Sequence, residues 1–174
     1  MSTAIINSDS YEKHDTGNGH PEQPQRVIAI KEKLKKRKDL IWKKPGYVPE
    51  DILAMTHSKK YIDNLKSSFP KKGLKFLDGD TVISPDSKRA IFDAAGSTIK
   101  AIDGIENKEF QNAFCLARPP GHHAEKDKAM GFCCISNAGV ATNYLNKNYK
   151  YKRVACVDFD VHWGNGNYDV MRNN

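Results

Sequence analysis

Two short polar stretches hold most of the residues that could do chemistry. The first is residues 118–125 (RPPGHHAE) and the second is residues 158–166 (DFDVHWGNG). Together they contain three of the six histidines of the 174-residue chain. Imidazole and carboxylate groups are common ligands of zinc, and imidazole is also a general base near neutral pH. The two stretches therefore predict a metal site with a base beside it.

The second stretch offers the metal ligands. Asp160 and His162 are two residues apart, and in extended backbone that spacing directs both side chains to the same side. One carboxylate and one imidazole make half of a site for zinc or a similar divalent ion. Asp158 could be a further ligand, or it could instead accept a hydrogen bond from a histidine and orient it. The alternative is that this segment is only a polar loop at the end of a strand.

The first stretch offers the base. His122 and His123 follow two prolines and a glycine, which indicates a backbone held in a defined conformation. Each ring would need an acceptor for its second nitrogen, and Asp158 and Asn165 could serve. The alternative is that the two histidines lie in a solvent-exposed turn.

These stretches need strands to position them. Residues 4–6, 113–117 and 154–159 are short apolar runs that predict strands, the last two buried. Their apolar rather than alternating pattern favours a parallel sheet covered on both faces, in an α/β fold. In such sheets the chemistry gathers at the carboxyl ends of the strands, and both polar stretches follow a predicted strand there.

Helices are predicted over residues 25–38, 57–65, 84–105 and 137–145. Ser84 is the expected cap of the third of these, with Pro85 at its first helical position. The first should bury Val27, Ile30 and Leu34. Residues 9–24 and 71–84 are rich in turn formers, which predicts loops.

Composition excludes several classes of protein. No apolar run approaches the length of a membrane span, and residues 1–10 do not resemble a secretory signal. Four cysteines without a paired spacing favour a reducing cytoplasm, and Cys115 and Cys156 are expected in the core. The first 75 residues hold 16 Lys and Arg against 9 Asp and Glu. This excess of seven positive charges equals the net charge of the whole chain, which is +7. A solvated helix face explains this excess better than a nucleic-acid site, and no feature indicates an oligomeric state.

Several motifs together resemble the zinc-dependent histone deacetylase family. They are the two polar stretches, residues 20–26 (HPEQPQR), 57–62 (HSKKYI), 78–85 (DGDTVISP) and 131–133 (GFC). The closest likeness is to its class II-like and bacterial branch, which includes acetylpolyamine amidohydrolases and acetoin-utilisation proteins. The resemblance implies a three-layer arginase/deacetylase-like α/β fold with a mainly parallel sheet, incomplete at its C-terminal end. Residues 1–174 would be the N-terminal portion of a single deacetylase domain.

The resemblance also implies an activity and the residues responsible for it. The activity would be hydrolysis of N-acetyl amide bonds to an amine and acetate, with an acetylated protein such as a histone or a small acetylated amine as substrate. Zinc would be the cofactor, with a structural potassium ion near the same strand end. The implied site residues are Asp160 and His162 on zinc, His122 and His123 in proton transfer with Asp158 and Asn165 as their partners, Gly131, Phe132 and Asp80 at the substrate channel and rim, and Arg26 near the acetate channel.

Two departures from the family pattern limit this expectation. Trp163 replaces a histidine that the family usually has, although not as a ligand. The family's third zinc ligand, an aspartate, and its carbonyl-polarising tyrosine have no matching position here. We therefore expect that the isolated chain binds zinc poorly, and an inactive, truncated relative is the alternative function. A binuclear site like that of arginase would need a carboxylate at position 164, which is glycine.

Overall fold

A parallel three-stranded sheet organises the part of the chain that carries the two polar stretches. The computed structural model describes residues 2–172. The sheet has the order β2-β1-β5, with β1 at Thr3–Ile6, β2 at Leu40–Lys43 and β5 at Asn112–Cys115. Ile5 of β1 lies opposite Trp42 and Phe114, and both pairings are parallel. Two further strands, β3 (Lys75–Phe76) and β4 (Val82–Ile83), form a small antiparallel hairpin.

Within the described residues, seven helices lie between these strands or after them. They are α1 (Ser10–Lys13), α2 (Gln25–Leu34), α3 (Glu50–Thr56), α4 (Lys59–Ser68), α5 (Ser87–Glu106), α6 (Asn137–Tyr149) and α7 (Asn165–Met171). Among residues 2–172, no helix has both the length and the apolar composition that a membrane span requires.

The sheet is covered on both faces, as its apolar strands predict. Ile5 packs with Val27 of α2 on one face, and Ala4 and Ile6 pack near Ala101 of α5 on the other. This gives the three-layer α/β arrangement that the sequence predicts. A second apolar cluster joins α3, α4, α5 and α6, and it includes the fully buried Ile91.

All four predicted helices begin or end elsewhere, and the last of them, α6, ends at Tyr149 rather than near residue 145. The first ends at Leu34 rather than near residue 38, because residues 35–38 are four consecutive cations whose repulsion disfavours another turn. Ile30 of that helix is 42% exposed, so the predicted buried face is incomplete. The long helix α5 begins at Ser87, and Ser84 does not cap it but accepts the Ser87 N–H with its main-chain oxygen. The helix predicted at 57–65 begins at Lys59, after the Ser58 cap.

Several elements were not predicted. Strand β2 was missed because its four residues lie between lysine-rich segments, and α3 because its apolar pattern lasts only seven residues. The two predicted loops also contain regular structure, namely the short helix α1 and the hairpin of β3 with β4.

The strand predicted at residues 154–159 is wrong. That segment has no strand structure, and Val157 and Phe159 are 83% and 96% exposed. A strand exists only where its backbone pairs with a neighbour, and within residues 2–172 β5 pairs with β1 alone. Strand β5 is consequently only half-buried, with Phe114 exposed. Cys156 is exposed rather than in the core, and Cys115 is partly buried.

Candidate active site

The two polar stretches meet beyond the carboxyl end of β5, and their histidines find separate partners. Nδ1 of His122 lies 3.1 Å from Oδ2 of Asp158, and Nδ1 of His123 lies 2.6 Å from Oδ1 of Asn165. The two imidazole rings are 4.0 Å apart between centroids. Since each Nδ1 faces an acceptor, it carries the ring proton, and Nε2 is the nitrogen left to exchange a proton.

Helix α7 brings the second stretch onto the first. Asn165 is the first residue of α7, and the N–H of Asn167 donates to the main-chain oxygen of His122 at 3.0 Å. A Cβ at Gly166 would lie 2.4 Å from the main-chain oxygen of Ala124, so only glycine allows this close approach. The first turn of α7 is thus packed directly against the loop of the twin histidines.

The carboxylate of Asp158 holds His122 and also closes its own turn. It accepts hydrogen bonds from the N–H of Asp160 at 3.2 Å and from the amide of Asn167 at 3.1 Å. Burial alone raises the pKa of Asp158, but the Asp160 N–H and the His122 ring outweigh it and hold that pKa below its usual value. Asp158 is therefore ionised near neutral pH.

Asp160 and His162 lie side by side, although not on extended backbone. Residues 160–162 form a bend in which the N–H of His162 donates to Oδ1 of Asp160 at 2.8 Å. Nδ1 of His162 lies 3.0 Å from the same oxygen. These hydrogen bonds lower the pKa of Asp160. The His162 side chain is 72% exposed, and its ring centroid lies 5.9 Å from that of His123.

The donors at this bend do not complete a catalytic zinc site. Such a site takes three protein ligands, and within residues 2–172 no three histidine, cysteine, aspartate or glutamate side chains are grouped to hold an ion. His14 and His57 are buried and hydrogen-bonded elsewhere, to Ser87 and to the main chain of Glu125. A carboxylate and an imidazole are suitable zinc ligands, but the described residues supply only these two of the three that are needed.

Gly164 leaves no room for a further carboxylate. A Cβ at this position would lie 2.5 Å from Oδ2 of Asp158. A carboxylate at position 164, which a binuclear site like that of arginase would require, would therefore displace the Asp158 side chain.

Gly131 lies against the second histidine, and Phe132 follows it. Gly131 has a φ of +55°, and a Cβ there would lie 2.5 Å from Cδ2 of His123. Phe132 also has a positive φ, of 69°, and its N–H donates to the hydroxyl of Thr81 at 3.1 Å. The ring of Phe132 meets that of His20 edge to face, with centroids 4.8 Å apart.

Asp80 is exposed on the hairpin between β3 and β4. Its main-chain oxygen lies 3.0 Å from Nε2 of His20, so the hairpin and the loop of residues 14–24 are joined beside Phe132. Asp80 is thus connected to Phe132 through His20, and the Asp80 residue is exposed.

Arg26 is exposed, whereas a second arginine is fully buried. Arg26 lies 3.9 Å from Oε1 of Glu22. Arg118, to which sequence reasoning assigned no role, is 1% exposed and donates to the same Oε1 at 2.7 Å. Its guanidinium also donates to the main-chain oxygens of Tyr11 and His14. Arg118 therefore ties residues 11–22 to the loop of the twin histidines.

Sequence reasoning also missed Glu125. Its carboxylate accepts a hydrogen bond from Nδ2 of Asn165 at 2.7 Å. The residue stands directly after the two histidines and an alanine, so the available signal was a carboxylate three residues from His122.

Comparisons with known proteins show which family the chain resembles. A family model described as a histone deacetylase domain matches residues 20–174. A protein of Archaeoglobus fulgidus named a probable deacetylase is 31% identical over 179 residues, which include 99% of this chain and 49% of that protein. An uncharacterised protein of Synechocystis is 37% identical over 98% of this chain and 58% of its own length.

A solved structure extends the similarity to the fold. The crystal structure of the HDA15 HD domain superposes with a TM-score of 0.91 at 30% sequence identity, over 99% of this chain and 51% of that one. The chain thus spans about half the length of these relatives. Because the family model covers nearly all of the sequence and the fold is shared over the same span, the chain belongs to the histone deacetylase family.

Proposed function

We propose that this chain contributes the proton-transfer half of a zinc-dependent deacetylase site. The observation that carries the proposal is the pair of imidazole rings 4.0 Å apart, one bonded through Nδ1 to a carboxylate and the other to an amide oxygen. Two neighbouring imidazoles with different hydrogen-bond partners suit a hydrolysis in which one proton is taken from water and one is given to the leaving group. Membership of the deacetylase family supports an N-acetyl amide as the substrate.

The two histidines have complementary tasks in this reaction. One unprotonated Nε2 accepts a proton from the water that attacks the acetyl carbon. The C–N bond then breaks, and an imidazolium returns a proton to the leaving amine, which gives the free amine and acetate. The two rings are supported differently, because Nδ1 of His122 is bonded to a carboxylate and Nδ1 of His123 to a neutral amide oxygen.

Asp160 and His162 are proposed as two ligands of the zinc ion. The exposed carboxylate and imidazole are adjacent, and the His162 ring centroid lies 5.9 Å from that of His123. The third ligand would come from outside residues 2–172. A structural potassium ion near residues 158–162 is a further expectation from the family.

The walls proposed for the substrate channel lie next to the same histidines. Gly131 packs against His123 and Phe132 against His20, and these two residues would hold the alkyl chain of an acetylated lysine or polyamine. Asp80 at the rim is proposed to bind substrate, and Arg26 to lie at the acetate path. Four free cysteines are consistent with the proposed cytoplasmic location, and the substrate is the one partner that the proposal requires.

An inactive relative of the enzyme is the second candidate function. It is favoured by the incomplete donor set, since the described residues provide only Asp160 and His162 at the bend. In that case the fold would persist without turnover.

Acetate release by the native gene product that contains this sequence tests the proposal. The substrates are an ε-N-acetyl-lysine peptide and N-acetylputrescine, each assayed with and without added zinc. We expect zinc-dependent release of acetate from at least one of them, with the free amine in equal amount. No release from either substrate, with zinc incorporated in the protein, would favour the inactive relative.

A further inference from the structure

The side chain of Asn165 can be placed in two orientations, and its neighbours allow only one. Nδ2 donates to Oε1 of Glu125 at 2.7 Å and approaches Sδ of Met130 at 3.4 Å. Both of these neighbours are acceptors. If the amide were rotated by half a turn, Oδ1 would face a carboxylate oxygen at that short distance, which is repulsive.

The orientation of Asn165 in turn sets the proton on His123. With Nδ2 held by Glu125, Oδ1 faces Nδ1 of His123 at 2.6 Å. An oxygen acceptor at that distance requires Nδ1 to carry the hydrogen, and Nε2 is then unprotonated. Asn165 alone would accept either tautomer of the ring, because an amide can present an oxygen or an N–H group.

Glu125 is itself held by a buried histidine that the proposed reaction does not use. His57 is fully buried, and its Nδ1 lies 2.9 Å from the main-chain oxygen of Glu125. Its Nε2 accepts the N–H of Ser136 at 3.0 Å. Burial lowers the pKa of His57, so the ring is neutral and donates through Nδ1. The motif at residues 57–62 therefore stabilises the loop of the twin histidines through the hydrogen bond of His57 to the main chain of Glu125.

We propose that Glu125 is a positioning residue that fixes the tautomer of His123 through the amide of Asn165. His122 has its carboxylate in direct contact, whereas His123 has a carboxylate one residue further away. The catalytic consequence rests on the proposed deacetylase function, but the hydrogen-bond arrangement does not.

The arrangement predicts a result that a purely structural glutamate would not give. Asn165→Asp places a carboxylate against that of Glu125, and the two repel. Adding Glu125→Gln supplies an amide N–H at the same place, so the carboxylate introduced at position 165 can again accept from His123. The double variant should therefore recover what the Asn165→Asp variant loses.

Two measurements test this. The first is ¹⁵N NMR of the histidine rings of the 174-residue chain at about pH 8, which is above the reference pKa of free imidazole side chains. The wild type should show His123 with Nδ1 protonated, Glu125→Gln should show both tautomers, and the matched control Glu32→Gln on the exposed face of α2 should match the wild type. The second is kcat of the native gene product. It should fall about tenfold in Asn165→Asp with little change in KM, and return to within about threefold of wild type in the double variant.

The outcomes separate the two proposals. An unchanged His123 tautomer in Glu125→Gln would overturn the role of Glu125, and so would a double variant that is no better than Asn165→Asp. A wild type that releases no acetate would instead overturn the proposed function, and the NMR result would still decide the role of Glu125. If Glu125→Gln unfolds the chain, the melting temperatures of Asn165→Asp and of the double variant are compared instead. The role of Glu125 predicts a higher melting temperature in the double variant than in Asn165→Asp.

Discussion

Oδ2 of Asp158 lies 3.1 Å from Nδ1 of His122, although the segment that carries Asp158 forms no strand. Asp158 is held by its own turn to Asp160 and by the amide of Asn167 on α7. The position of this carboxylate therefore depends on local hydrogen bonds and on helix α7 rather than on the sheet.

Replacing the charge of Asp158 tests this contact. Asp158→Asn can still accept from His122 but no longer stabilises its protonated form. We expect kcat of the native gene product to fall about 10–100-fold, with KM nearly unchanged. Asp86→Asn, at an exposed position before α5, is the control and should leave both parameters unchanged. An equal loss of kcat in both variants would contradict the assigned role of Asp158.

The buried ion pair of Glu22 and Arg118 should contribute strongly to the free energy of unfolding. Both side chains are 1% exposed, so Glu22→Gln leaves a buried guanidinium without its counter-charge. We expect the free energy of unfolding in urea to fall by about 3 kcal/mol. Arg26→Gln removes a cation that is 61% exposed and 3.9 Å from the same carboxylate, so it should cost less than about 1 kcal/mol. Similar losses in the two variants would argue against a special role of Arg118.

Gly131 should not tolerate even alanine. The added Cβ would lie 2.5 Å from the His123 ring, at a φ of +55° that side chains rarely adopt. We expect Gly131→Ala to lower the free energy of unfolding by about 1–3 kcal/mol and to shift the His123 signals in NMR spectra. Gly79→Ala is the matched control, since nothing lies within 4 Å of its Cβ. Unchanged His123 signals in Gly131→Ala would contradict this packing of Gly131 against the ring.

The 174-residue chain by itself should bind zinc weakly. Asp160 and His162 are two donors on an exposed bend, and two ligands leave most of the coordination shell to water. Titration calorimetry with zinc should show no saturable one-to-one binding at micromolar protein. If binding is tight, and is lost in the Asp160→Ala/His162→Ala double variant, then a third donor is present and the two-donor description is wrong.

Much of the fold could be predicted because its pattern is local. The strand at residues 4–6 and the helix at 137–145 follow from short apolar runs and periodic small residues, and both were found within a few residues of their predicted bounds. The predicted strand at 154–159 failed because strand formation depends on a partner elsewhere in the sheet, which the apolar run of Val154 to Phe159 does not reveal.

Only some residues of the candidate site could be predicted from the sequence. Residue type and spacing pointed to Asp160, His162 and the twin histidines, since carboxylate and imidazole groups at that spacing suit a metal site with a base beside it. The role inferred for Glu125 could not be predicted, because it depends on the orientation of an amide 40 residues later in the chain. The burial of Arg118 likewise depends on residues 11–22 folding over it.

The most direct test of the central claim is acetate release by the native gene product and its single variants His122→Ala and His123→Ala. The wild type should release acetate from an N-acetyl-lysine peptide or from N-acetylputrescine, and each variant should lose about 10²–10⁴-fold in kcat while retaining its fold by circular dichroism. Acetate release that persists at the wild-type rate in both variants would show that the paired imidazoles do not transfer protons in the reaction.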